Sequence, residues 1–211
     1  MDHRLLARTF TGLATALLML GGAQAKGSSQ GTHFGPAKHY QTLAPIGQSS
    51  TIYNFDVAGI YSNEEYGSPL NEVFNLDVGA GSWVTGIGWD VTITAYDPSW
   101  LSEMQVAFED SSQSSGVFLT VGVGDSFSGE ASYSSPIVNL VDLGLNFQVG
   151  ADGKLRLEFF EGFNDFDADH DGIWDRGTLS IEVTQVPEPS TYALMLVGLA
   201  GAVAIARRRR S

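Results

Sequence analysis

Alternation with a period of two constrains this chain more than any other feature. Leu155, Leu157 and Phe159 oppose Lys154, Arg156 and Glu158. Leu179, Ile181 and Val183 oppose Thr178, Ser180 and Glu182, and Val91, Ile93 and Ala95 oppose Thr92, Thr94 and Tyr96. Successive side chains of a strand point to opposite faces. Each run therefore has one apolar and one polar face, as in an antiparallel sheet solvated on one side. Strands are expected near 51–58, 73–78, 84–96, 104–109, 117–123, 137–141, 145–149, 154–160 and 178–184, separated by Gly, Asn, Asp and Pro. No long amphipathic helix lies among them. About nine short strands predict an all-β fold, an antiparallel β-sandwich or jelly roll. Asp152-Gly153 between two runs is a hairpin signal, because both turn positions need positive φ.

The two ends follow other rules. Residues 1–25 read as a signal peptide: Arg4 and Arg8 precede an apolar stretch over 10–22, and Ala23-Gln24-Ala25 fits small-x-small cleavage. Residues 26–49, rich in Gly, Ser, Gln and Pro, read as a flexible leader to a β-sandwich domain over 50–185. Residues 186–211 form a three-part tail. Val186, Pro187, Glu188 and Pro189 should be extended and exposed, since Pro fixes φ and lacks a donor. The uncharged run 192–206 would be about 22 Å long as a helix, short of the hydrocarbon core of about 30 Å. Snorkelling arginines and local thinning cover that gap, so a single transmembrane helix is expected. Arg207, Arg208, Arg209 and Arg210 should stay cytoplasmic, which places the body outside.

This order of Pro187-Glu188-Pro189, apolar helix and terminal arginines closely resembles the PEP-CTERM sorting signal of Gram-negative bacteria. The resemblance implies an exosortase as partner and cleavage near the motif. It also implies an inner-membrane intermediate before release to the cell surface or extracellular matrix, such as that of a biofilm. An ordinary C-terminal anchor is the plainer alternative. The body looks like those of other PEP-CTERM proteins at Gly88-Trp89-Asp90, Ser99-Trp100-Leu101-Ser102-Glu103, Leu157-Glu158-Phe159-Phe160-Glu161 and Gly177-Thr178-Leu179-Ser180-Ile181. It faintly resembles the jelly-roll P domain of convertase proteases, where an acidic turn and a Trp also lead into the last strand. Those matches transfer no catalytic residue.

Charge and residue types narrow the chemistry. Residues 26–185 hold 22 acidic and 5 basic side chains, about −17 in net charge. Such a body repels nucleic-acid phosphates. There is no cysteine, which excludes disulfides and thiol catalysis. The densest cluster is Asp165-Phe166-Asp167-Ala168-Asp169-His170-Asp171-Gly172-Ile173-Trp174-Asp175. Asp167, Asp169 and Asp171 with Gly172 repeat the Asp-x-Asp-x-Asp-Gly loop that wraps Ca²⁺. In that register the Ile173 carbonyl and Asp175 would add oxygens, and Gly172 would supply the sharp turn. Thr178 stands where an EF-hand has Glu, and strands flank the loop, so only the loop chemistry matches. A solvated acidic loop is the alternative. His170 is the sole histidine of the expected body, and no Gly-x-Ser-x-Gly elbow occurs. The expectation is a non-enzymatic exported surface or matrix protein, its sandwich stabilised by Ca²⁺. The alternative is a carbohydrate-binding or carbohydrate-active module on exopolysaccharide. Trp83, Trp89, Trp100 and Trp174 are the candidate sugar platforms, with Trp89 expected to pack in the core or at a sheet edge and Trp100 to be exposed.

Overall fold

A computed structural model describes residues 33–36, 49–164, 170–185 and 194–200. In chain order its elements are β1 (His33–Pro36), β2 (Ser50–Asp56), β3 (Ile60–Ser62), β4 (Glu72–Asp77), β5 (Trp83–Ala95), β6 (Met104–Asp110), β7 (Gly116–Thr120), β8 (Gly129–Asn139), α1 (Leu140–Leu143), β9 (Phe147–Gln148), β10 (Lys154–Glu161) and β11 (Gly172–Thr184). Sheet A has the order β1-β7-β6-β10-β4 and sheet B the order β2-β11-β5-β8, with β3 also on β11 and β9 on β5. Every pairing of named strands is antiparallel.

The alternating runs explain the two layers. Leu155, Leu157 and Phe159 of sheet A face Leu179, Ile181, Val183 and Ile93 of sheet B in one buried cluster. Aromatic rings link the layers: Phe159 meets Trp174 edge-on at 5.2 Å, and Phe55 of β2 lies 5.2 Å from Phe74 of β4. Each fully buried Leu, Ile, Val or Phe contributes about 1.5–3 kcal/mol relative to exposure, so this face drives folding.

β11 is the spine of sheet B. It pairs with β5 along its length, with β3 at 172–174 and with β2 at 178–184. The change of neighbour falls at Gly177, whose φ is +120°. A Cβ there would overlap the Asp90 carbonyl and Val91 Cα, so only glycine allows strand β5 so close.

The structure departs from the sequence reading in several places. His33–Pro36, assigned above to the flexible leader, forms edge strand β1 on β7. The strand expected at 137–141 is the end of a longer one, β8, and Val141 lies in α1. Asn139 caps that turn by accepting from the Val141 and Asp142 amides, and Gly144 closes it at φ +68°. Asp152-Gly153 is a turn, with Gly153 at φ +69°, but not a hairpin: β9 before it belongs to sheet B and β10 after it to sheet A. β3 had no counterpart, and β11 begins six residues before the strand expected at 178.

Candidate functional site

The acidic stretch lies where β10 ends and β11 begins. Asp167 and Asp169 fall outside the described residues. The Asp171 side chain is fully buried; its amide donates to the Ser62 carbonyl at 3.0 Å and its carbonyl accepts from Tyr96 N at 2.8 Å. Ser62 in turn donates through Oγ to the Phe160 carbonyl, and the following residue, Glu161, is buried. Ile173 and Asp175 are not in a loop. Ile173 sits within β11 between Tyr61 and Thr94, and Asp175 occupies a register shift in that strand. The Asp175 carboxylate accepts the Thr94 hydroxyl at 2.7 Å. Gly172 opens the strand opposite Ser62 and Ala95 with no positive φ, and a Cβ there would collide with the Thr94 carbonyl and the Met104 side chain. Its role is close packing rather than the sharp turn expected. Among the described residues no three His, Asp or Glu side chains are grouped to hold a metal ion.

Beside this end, on the outer face of sheet B, lies an aromatic surface that the sequence reading did not assemble. Tyr61 and His170 stack with ring centroids 3.8 Å apart, and His170 Nδ1 bonds to Asn63 Oδ1. Tyr61 and Thr94 flank Ile173 as its partners on either side. Tyr96 is 40% exposed. Burial, then the nearby Tyr61 and Asp175, push its hydroxyl above the ordinary tyrosine pKa. Three of the four tryptophans are core residues; Trp100 alone is exposed, at 44%.

A second polar cluster sits on the outer face of sheet A beneath the 63–71 segment. Arg156 pairs with Glu158 at 2.6 Å and approaches Glu109 at 3.7 Å. Both carboxylates are buried, Glu158 at 0% and Glu109 at 1%. Glu158 Oε1 also accepts from Gly67 N at 2.6 Å and Asn71 Nδ2 at 2.7 Å. With its oxygen turned toward the guanidinium, Gln113 accepts from both Arg156 terminal nitrogens at 3.2 Å. Tyr66 covers the cluster, its ring against Phe118 and Phe160. Burial, then a hydrogen bond to Glu109 and the charges of both carboxylates, push its hydroxyl well above the ordinary value despite Arg156. The cluster is internally paired and anchors the 63–71 segment. Its one sequence signal was Arg156 itself, a rare base on the polar face of an acidic sandwich.

The sorting-tail residues Val186, Pro187, Glu188, Pro189 and Arg207 to Arg210, and the signal-cleavage residues Ala23 and Ala25, lie outside the described residues. Residues 194–200 are helical and exposed. Among the described residues no helix is long and apolar enough to cross a membrane.

Two solved structures are similar to this chain at low identity. The VP2 subviral particle of infectious bursal disease virus matches at 12% identity and a TM-score of 0.29, over 64% of this chain and 32% of that chain. This chain thus spans about a third of that protein's length. Tomato aspermy virus matches at 13% identity and a TM-score of 0.27, over 74% and 87%. No curated protein matches the sequence. Residues 185–210, which start immediately after β11, match the PEP-CTERM protein-sorting motif, and the chain therefore carries that sorting signal.

Proposed function

We propose that this is a non-catalytic exported protein, delivered by its signal peptide, held by its tail in the inner membrane, and released by an exosortase to the cell surface or matrix. The carrying observation is the sorting motif placed directly behind the last strand of a β-sandwich. Intact-mass analysis of the exported protein tests it. Cleavage after Ala25 and again near 187–189 is the expected result. An exported form that keeps Arg207 to Arg210 refutes processing and leaves a plain anchor.

Within this reading, Ca²⁺ stabilises the body at the acidic stretch, held by Asp167, Asp169 and Asp171. The support is the donor chemistry together with the burial of Asp171 and Glu161 at one end of the sandwich. Burying a carboxylate is costly, and a divalent cation held by it offsets part of that cost. Ile173 and Asp175 contribute less than expected, since one lies in a ladder and the other is bonded to Thr94. At 100 times its dissociation constant Ca²⁺ should add about 2.7 kcal/mol, removed by chelator or by Asp169→Ala. Equal melting curves in Ca²⁺ and in NaCl of matched ionic strength would leave only a solvated acidic turn.

A carbohydrate-binding role is favoured by one specific observation. Exposed Tyr96 stands beside the Tyr61–His170 stack and the Asp175 carboxylate, a pairing of aromatic faces and acceptors suited to a sugar ring. Selective binding on an exopolysaccharide glycan panel, lost in Tyr96→Ala, supports this second reading. No selective binding removes it.

A further inference from the structure

The two sheets end differently. Sheet A closes with β1, only four residues long, and with β4, which carries Glu72 and Asp77 in six residues. Short or charged edges are the usual protection against pairing with another chain. Sheet B lacks that protection. Its edge strand β2 carries one charge, Asp56, in seven residues, and exposes Ile52 at 54%. Its other edge, β8, carries one charge, Glu130, in eleven residues; Pro136 leaves the seven residues 129–135 uninterrupted. Among the described residues neither strand has a partner on its outer side.

Strand direction makes these two edges complementary. β2 and β5 run one way, β11 and β8 the other. Placing β2 of a second copy beside β8 therefore continues the antiparallel alternation. The faces also match. Tyr53 and Phe55 of β2 and Ala131 and Tyr133 of β8 all point inward, while Ile52, Asn54, Ser132 and Ser134 point outward. Both faces stay consistent whenever odd residues of one strand oppose odd residues of the other. A two-fold pairing of β8 with β8 leaves β2 open, whereas β8 with β2 uses both edges of every copy and is heterologous, so growth continues past the dimer.

We propose that copies of this protein associate head to tail, β8 of one on β2 of the next, into open chains with a continuous sheet B. The body's 22 acidic and 5 basic residues oppose this at low salt. Association should therefore strengthen as the screening length falls from about 10 Å at 0.1 M to about 3 Å at 1 M salt.

The absence of cysteine allows a direct test on the purified exported protein. Facing residues of neighbouring antiparallel strands lie within disulfide range. N54C should cross-link on oxidation when mixed with E130C, S132C or S134C, with the strongest yield for whichever residue is in register, and little when any variant is oxidised alone. Sedimentation at 1 M NaCl should show a ladder of masses beyond the dimer. That ladder should be lost in Ile52→Glu/Ser134→Glu, with the wild-type melting profile kept. A mass that stays monomeric at 1 M NaCl overturns the proposal, as does one that stops at the dimer or a cross-link dominated by S132C with itself. If the glutamate variant does not fold, the mixed cross-links decide alone.

Discussion

Replacing Arg156 by Met should be the most damaging polar substitution in the sandwich. Its guanidinium stands 2.6 Å from Glu158 and 3.7 Å from Glu109, and the three side chains are 13%, 0% and 1% exposed. Methionine fills much of the volume but removes the cation that both carboxylates contact. Breaking a buried pair from one side costs about 3–5 kcal/mol, because it strands charge without water. With an urea slope of about 2 kcal/mol/M, the unfolding midpoint should fall by about 1.5–2.5 M, read by tryptophan fluorescence. The damage should be strongly non-additive. In a Glu158→Gln background the same Arg156→Met change leaves one stranded charge fewer. Its cost should drop by more than about 1.5 kcal/mol, while the Gly67 and Asn71 donors keep an acceptor. A single-variant cost below about 1 kcal/mol, or two costs that simply add, would mean that water reaches the cluster and the burial argument is wrong.

Other expectations are simpler. Gly177→Ala should destabilise by about 3 kcal/mol or more in the same assay, since a Cβ would overlap the Asp90 carbonyl at φ +120°; a neutral result would show that the strands can part there. Asn146 is fully buried and, among the described residues, neither amide atom is hydrogen-bonded, so Asn146→Leu should stabilise by about 1–3 kcal/mol, and a loss of stability would point to a buried water. Tyr66 and Tyr133 have raised pKa values, from burial first and then from hydrogen bonds to Glu109 and Asp125. Their neutral forms are favoured in the fold, so stability should be full below about pH 10 and fall as pH rises further, a slope that Tyr66→Phe and Tyr133→Phe should flatten. Glu188→Ala should block tail removal, seen by mass, while the uncut chain still fractionates with membrane.

Reading strands from alternation worked where one face was richly apolar. β10 as far as Phe159 and the second half of β11 have Leu, Ile, Val or Phe at every inward position, so their limits were near those expected. β8 points Ala131, Tyr133 and Ser135 inward, too small or polar to give a period, and only its apolar end was recognised. β1 offers one large apolar side chain, Phe34, whose partner Trp89 is far away in sequence. The acidic stretch was legible as composition but not as geometry. Gly172 suggests a turn by type, yet it is required by the nearness of Thr94 and Met104, which only the fold reveals. The Glu109–Arg156–Glu158 cluster was hidden for the same reason: its covering donors, Gly67 and Asn71, come from 91 and 87 residues away.

The place of β11 in the chain has a consequence for secretion. It is the strand on which β2, β3 and β5 all depend, and it is the last of the body to be made. Sheet B therefore cannot close until nearly the whole chain is available, because long-range pairing must wait for its final partner. Only Gln185 separates the end of β11 from Val186. One residue reaches at most about 3.6 Å, so on the proposed function an exosortase cutting near the motif would work close to the rim of the closed sheet. On the proposed function, folding and release therefore compete for the same few residues, and a body that closes early would slow its own release.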